Sequence, residues 1–423
     1  MARRLAESRA PWGLPRPAYA GASLPNLTAT VARALELPEE PAGGLAPALE
    51  RSIDPLEGRR PEGPVVIFLV DGLGWSKLAP WFDSAESPAA RQWAELARPI
   101  TTVYPTSTAA ALLSLSTGSA PAQHGLVGYR QYLPAYGVVG DMLKMTPIGA
   151  SAPEGLIGPA WSPALMGGSP TVFRRGLRGA AVSRDRFQGT GFTRWLYDGA
   201  EYVPWTTASD LAVELAGLLD RPRPPELILA YWDELDTAAH FHGPTDPIYR
   251  FELDRLAHLI GFVARRVAPA RARSTAFWVT SDHGQQPLDP LLQIELSDEP
   301  EILREMVRPL AGDRRGGYFA ARPGRREALR AALSQRLPPG STLVDTATAI
   351  RAGLWGAPPF HPEMADRIGD LLAFVPAPAG ILQRLPGAGP RSRQLRGGHG
   401  GLSPEELLIP LVGGRLDEFS APG

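Results

Sequence analysis

Three stretches of the chain are almost continuously apolar: Val65–Val70 (VVIFLV), Leu227–Trp232 (LILAYW) and Ala276–Thr280 (AFWVT). Runs this short, rich in β-branched and aromatic residues, predict strands of a parallel sheet whose two faces are both covered. Each run leads into acid: Asp71-Gly72 after the first, Asp233 and Asp236 after the second, Asp282-His283 after the third. The intervening segments Ala208–Leu219 and Pro247–Val267 carry helical lengths and patterns. Strands alternating with helices imply parallel crossovers and a doubly wound sheet, hence an α/β fold with a central, mostly parallel sheet flanked by helices. Such sheets bind ligands beyond the carboxyl ends of their strands, where these acids fall.

The texture changes along the chain. Residues 1–64 form a lead-in rich in Pro, Ala and Gly, expected to pack on the core through one helix in Ser23–Leu37, where Leu24, Leu27, Val31 and Leu35 share a face. The catalytic α/β domain is expected over 65–297 and 370–423, with an irregular insertion at 145–205 where Gly, Pro, Ser and Arg replace periodic runs. Residues 298–369 predict a small α+β cap, with a strand at Tyr318–Ala321, an amphipathic helix at Arg325–Leu337 and a short helix at Asp345–Ala352. The chain then returns through Asp370–Val375, and the Pro/Gly stretch Pro376–Pro390 reads as a surface loop.

Composition narrows the chemistry. In 423 residues, 43 Lys+Arg against 44 Asp+Glu leave a formal charge of -1, unlike a general binder of nucleic acid or anionic membranes. Zero cysteines exclude disulfides, thiolate metal sites and cysteine nucleophiles, so any metal must be held by imidazole, carboxylate or hydroxyl groups. Arg3, Arg4 and Arg9 precede no continuous apolar stretch, and no run approaches the roughly 18 to 20 residues of a membrane-spanning helix. A cytoplasmic location is the expectation.

Four motifs carry candidate chemistry. Asp236 and His240 stand four apart, on one side of any helical turn that follows the second strand. Ser281-Asp282-His283-Gly284 places acid and imidazole together, and the glycine permits the turn that lets both converge. His399 is flanked by Gly397, Gly398, Gly400 and Gly401, so backbone can approach a ligand there. Thr106, Ser107 and Thr108 precede an Ala-rich apolar run, the mark of a helix start with its unpaired N–H groups. Singly, each has a plain structural alternative: an N-cap, a surface histidine or a flexible loop.

In order, however, Asp71-Gly, Tyr104-Pro-Thr-x-Thr108, Thr117-Gly118, His124-Gly125, Asp236-x3-His240-x2-Gly-Pro, Ser-Asp282-His283-Gly and Gly-x-His399-Gly resemble the nucleotide pyrophosphatase/phosphodiesterase family of the alkaline phosphatase superfamily. The resemblance spans Val65 to Gly400. It implies an alkaline-phosphatase-like sandwich and a metal-dependent phosphoric ester hydrolase acting on a small phosphate ester, a nucleotide among the candidates. Two Zn2+, or other divalent transition ions, are implied: one held by Asp236, His240 and His399, the other by Asp71, Asp282 and His283. Thr108 is implied as the nucleophile, bridging towards the second ion and passing through a phosphothreonine. A phosphomonoesterase or phosphonate hydrolase of the same superfamily, and a catalytically silent metal-binding protein, are the alternatives.

One departure stands out. The family pattern has Asn at the position of Ala111, so ions, backbone N–H groups or a residue from elsewhere must hold that phosphate oxygen, and the Arg-rich stretch Arg174–Arg194 is the candidate. His124 reads as structural and His258 as an ordinary helix residue. Asp233 and His242 flank the metal motif as possible orienting partners, and Tyr129, Tyr132, Trp161 and Trp205 as possible stacking residues.

Overall fold

The computed structural model describes residues 1–38, 44–83, 87–150, 154–158, 161–385 and 394–421. Its centre is a seven-stranded sheet in the order Ala97–Thr101, Leu408–Arg415, Ala276–Thr280, Val65–Val70, Leu227–Trp232, Gly179–Arg184, Glu201–Trp205. Val65–Val70 pairs in parallel with both neighbours, and only Leu408–Arg415 runs antiparallel to the strands beside it. Helices cover both faces, which explains the uninterrupted apolar runs. Val65, Ile67 and Leu69 enter one core cluster with the buried helix Leu24–Ala34, while Val66, Phe68 and Val70 enter the other with Ala208–Leu219 and Asp246–Arg266. The alternation is the two-residue period of a strand read on both faces at once.

The start of the lead-in helix is fixed by Ser23 N–H donating to Asn26 Oδ1 at 2.7 Å, while the Ser23 hydroxyl donates to the Thr102 carbonyl at 3.1 Å. Every residue from Leu24 to Ala32 is buried, so the segment belongs to the core.

A second seven-stranded sheet, antiparallel throughout, has the order Thr342–Asp345, Leu371–Phe374, Gly316–Phe319, Ala311–Gly312, Arg130–Leu133, Val138–Asp141, Thr146–Pro147. The expected cap at 298–369 therefore supplies only part of it. Three strands come from 130–147, and Leu371–Phe374, in the segment expected to return to the catalytic domain, lies between Thr342–Asp345 and Gly316–Phe319. Pairing between positions as far apart in the chain as Arg130 and Gly312 leaves no local signature.

The insertion at 145–205 is less irregular than expected, because Gly179–Arg184 and Glu201–Trp205 complete the central sheet. Gly179–Arg184 (GAAVSR) is buried but built of small residues, and Glu201–Trp205 (EYVPW) is a half-exposed edge where Pro204 needs no ladder partner. The stretch read as a loop from Pro376 contains the strand Gly380–Leu382, paired with Gln293–Glu295; from 386 to Pro390 it lies outside the described residues. Among the described residues no helix is long and apolar enough to cross a membrane.

Phe68 is fully buried between Trp232 and Phe277, with ring centroids at 6.5 and 6.2 Å. Phe68→Ala should lower unfolding free energy by about 3–5 kcal/mol in chemical denaturation. The same truncation at Phe251, 65% exposed, should cost less than about 0.5 kcal/mol. Equal costs would contradict this placement of the core.

Candidate metal centre

The parallel register brings three chain exits side by side: Val70 lies opposite Trp232, and Leu69 opposite Thr280. Asp71 follows the first directly. After Trp232 the chain enters the helix Glu234–His242, whose first turn carries Asp236 and whose last carries His240. After Thr280 come Asp282 and His283, both fully buried. Thr108 opens the helix Thr108–Thr117, which follows the edge strand Ala97–Thr101. His399 follows the two-residue strand Gly397–Gly398, paired with Gln286–Pro287.

These seven side chains converge. His283 Nε2 lies 3.5 Å from Asp71 Oδ1, 3.3 Å from Asp282 Oδ2 and 3.1 Å from Thr108 Oγ1. Its ring stacks on His399 at 3.7 Å between centroids. His240 Nε2 is 3.2 Å from Asp236 Oδ2, and its ring is 5.2 Å from that of His399. Two triples have ligand atoms within 4.8 Å of one another: Asp71, Asp282 and His283, and separately Asp236, His283 and His399. The first is the grouping expected from the resemblance. In the second, His283 takes the place expected of His240, which stands one step further out.

The donor chemistry suits divalent cations. Asp71 Oδ1 and Asp282 Oδ2 are buried without a hydrogen-bond partner, as ligand oxygens should be. Burial, then the charges of Asp282 and Asp236, push the Asp71 carboxyl well above its usual range, and burial raises Asp282 as well. Carboxylates so placed need positive charge among them to stay ionised. Burial lowers His283 to about 4, and burial with the neighbouring His283 lowers His399 to about 3, so both imidazoles are neutral and carry lone pairs. Each histidine has one ring nitrogen already occupied: Nδ1 donates to the carbonyl of Gly397 from His240 (2.8 Å), of Gly284 from His283 (3.1 Å) and of Thr106 from His399 (2.8 Å). With the proton on Nδ1, the Nε2 atoms of His283 and His399 are acceptors, whereas His240 is raised: burial lowers it, but the charge and hydrogen bond of Asp236, 3.2 Å from its Nε2, prevail.

Glycines permit these anchors. A Cβ on Gly397 would meet the Ala239 carbonyl at 2.4 Å, and Gly72 turns at φ +79°, where a Cβ would meet Asp236 at 3.1 Å.

Several supporting residues carry no sequence signal. Tyr231 donates its hydroxyl to Asp71 Oδ2, and Gln285 donates to Asp236 Oδ1. Gly72 and His283 N–H groups donate to Asp282 Oδ1 at 3.0 and 2.9 Å. Tyr231 sits inside an apolar strand and reads as core until the register places it beside Asp71. Arg184 stacks over Trp205 at 3.8 Å and ion-pairs with Asp233 (2.8 Å) and Glu234 (2.7 Å), fixing the start of the Asp236–His240 helix.

The remaining expectations sort by position. His124 is buried behind the site, 2.8 Å from Ser114 Oγ, and burial lowers it to about 3. His242 is exposed, and His258 lines a separate surface hollow with Arg255. Tyr129 lines the cleft over the cluster, whereas Trp161, Trp205 and Tyr132 lie under Arg194, Arg184 and Arg308. Ala111 is fully buried in the core cluster. Of the stretch Arg174–Arg194, only Arg186 and Phe187 reach the cleft; Arg174 and Arg178 ion-pair on the surface.

A cluster of acids and imidazoles at the carboxyl ends of a mostly parallel sheet, beside a hydroxyl at a helix start, defines a metal-dependent hydrolase of alkaline-phosphatase-like fold. The family described as type I phosphodiesterase / nucleotide pyrophosphatase matches residues 65–379, and the chain belongs to that family of phosphoric ester hydrolases. Murine ectonucleotide pyrophosphatase / phosphodiesterase 5 has a similar structure at 19% identity and TM-score 0.59, covering 84% of this chain and 90% of that one. An inactive threonine-to-alanine variant of the murine protein in complex with AMP aligns at 18% identity and TM-score 0.60, with the same coverage. The human counterpart aligns at 18% and 0.59, covering 83% and 87%. No curated protein matches the chain by sequence.

Gly397→Ala should strain the strand against Ala239 and displace the His240 anchor, costing about 1–3 kcal/mol. Denaturant unfolding measures it; an unchanged midpoint would show that the contact relaxes freely.

Proposed function

We propose that this chain hydrolyses phosphodiester or phosphoanhydride bonds with two zinc ions and a covalent phosphothreonine at Thr108. The observation that carries the reading is the Thr108 hydroxyl, at a helix start and 3.1 Å from His283 Nε2, beside both ligand triples. Asp71, Asp282 and His283 would hold one ion with Thr108 turned towards it; Asp236, His240 and His399 would hold the other. Three imidazoles without thiolates favour zinc or a similar transition ion over magnesium. Three carboxylates against two divalent ions leave about one net positive charge, suited to an anionic substrate. When bound, the ions supply the field that lets a threonine hydroxyl ionise near neutral pH and that offsets charge on entering and leaving oxygens.

Thr108 Oγ, having lost its proton to solvent, attacks phosphorus; the bond to the leaving oxygen breaks and its electron pair stays on that oxygen. The threonine then carries the phosphoryl group with whichever substituent remains. Water attacks that phosphorus next, the P–Oγ bond breaks, and the threonine recovers a proton. Ser107 makes no side-chain cap to the first helical turn, so N–H groups there can hold the phosphoryl oxygens. The cleft over the cluster, about 500 Å³, suits a nucleotide-sized ligand, and the AMP complex of the murine variant supports that class.

Chelation should abolish hydrolysis of bis(4-nitrophenyl) phosphate, and added zinc should restore it; activity indifferent to chelation would overturn the metal reading. Thr108→Ala should lower turnover by at least about 10³-fold while metal content stays unchanged. Loss of turnover on Thr106→Ala, with Thr108→Ala active, would move the nucleophile.

A further inference from the structure

The turn that joins Ala311–Gly312 to Gly316–Phe319 in the second sheet packs on the loop that carries His399. A Cβ on Gly316 would meet the Gly400 carbonyl at 2.4 Å, so backbone lies against backbone there. From this turn Arg315 reaches Glu406 in the short helix Pro404–Leu407, its Nε donating to Oε1 at 2.7 Å. Both side chains are buried. Burying two charges is costly, and apolar residues of the same volume often hold a fold as well. The other bonds of Glu406 show what the pair adds to packing.

The carboxylate divides between two tasks. Oε2 accepts from the Ser403 hydroxyl at 2.8 Å and from the Ser403 N–H at 3.3 Å, and Ser403 Oγ accepts from the Glu406 N–H in return, which makes a capping box. A glutamine serves that purpose equally, with no buried charge. Oε1, the oxygen that Arg315 holds, accepts the Gly401 N–H at 3.0 Å, just beyond His399 in the chain. Thr106 grips the same loop from its other side: its hydroxyl accepts the Gly400 N–H at 2.9 Å and donates to the Gly401 carbonyl at 3.1 Å, and its carbonyl takes the His399 Nδ1 proton. The main chain of Glu406 serves the second histidine. Its carbonyl accepts the Gly284 N–H at 2.9 Å, and the Gly284 carbonyl in turn accepts from His283 Nδ1 at 3.1 Å. One residue therefore backs both of the stacked imidazoles, whose centroids are 3.7 Å apart.

We infer that Glu406, held by Arg315, is a positioning residue for metal binding: through Gly401 and Gly284 it sets where His399 and His283 present Nε2, and it ties both cation sites to the second sheet. This rests on the reading of the cluster as a two-ion centre. His399 and His283 belong to different ligand sets in that reading, so a disturbance at Glu406 reaches both ions. Neither Glu406 nor Arg315 belongs to a ligand set; they act by holding the arms that do.

Four substitutions in the full-length protein test it. Glu406→Gln keeps shape and capping capacity but removes the charge; Glu406→Asp keeps the charge beside Arg315 but draws the carboxylate back from Gly401 by one methylene. Ser403→Ala removes the cap bond and leaves Oε1 in place, and Arg315→Lys keeps the charge without the planar fork. Zinc-loaded samples, shown folded by circular dichroism, are titrated with a chromophoric chelator that withdraws the metal, and Co2+-loaded samples are followed by visible absorption, which reports ligand geometry. Both Glu406 variants should bind zinc about tenfold more weakly, or weaker still, and show an altered Co2+ spectrum. Arg315→Lys should lie between them and the unaltered protein, and Ser403→Ala should change neither reading. A purely structural ion pair would lower the unfolding midpoint while the folded protein binds metal as before. Zinc affinity and Co2+ spectrum unchanged in Glu406→Asp, or in Glu406→Gln, overturn the inference, and an equal loss on Ser403→Ala does so by tracing the effect to the helix cap. An unaltered protein that binds neither ion overturns the metal reading and this role with it, whereas metal binding that all four variants share with the unaltered protein overturns the role alone.

Discussion

Three carboxylates and three imidazoles converge in one largely buried cluster, and this concentration of like charge and lone pairs is the constraint on which the rest of the structure turns. Asp71 and Asp282 each have a buried oxygen without a hydrogen-bond partner, and burial raises both. Such an arrangement is poor as packing and sound as a cation site. The sheet register makes it unavoidable, since strands paired at Val70/Trp232 and Leu69/Thr280 must end together.

Around the cluster, hydrogen bonds do the aiming. Backbone carbonyls at Gly397, Gly284 and Thr106 take the Nδ1 protons, and Tyr231 and Gln285 each occupy one carboxylate oxygen. Each donor or acceptor committed outward leaves its partner atom committed inward. The Arg184 clamp on Asp233 and Glu234 does the same for the helix that carries Asp236 and His240. The two sheets divide the labour: strand ends of the central sheet lead into Asp71, Asp236, Asp282 and His283, and the second sheet lines the cleft over them.

How much of this was legible in the sequence depends on whether the signal is local. Strands buried on both faces announce themselves, as VVIFLV and LILAYW do, and the acids that end them follow from the same reading. Gly179–Arg184 escaped because Gly, Ala and Ser fill a crowded strand without an apolar run, and Glu201–Trp205 because an edge exposes alternate residues. The second sheet escaped for a different reason: its strands join residues 130–147 to 311–374, and long-range antiparallel pairing is encoded only in shape complementarity. In the candidate site, the acids and histidines were readable by spacing and resemblance. Tyr231 and Gln285 were not, since each acts through a neighbour that only the fold provides.

The central proposal is that this cluster holds two cations in distinct ligand sets. Anomalous diffraction at the zinc edge, on crystals of the zinc-loaded protein, tests it most directly. The account predicts two peaks, one among Asp71, Asp282 and His283 beside Thr108, the other among Asp236, His240 and His399. A single peak shared through His283, or zinc bound away from these residues, would contradict it.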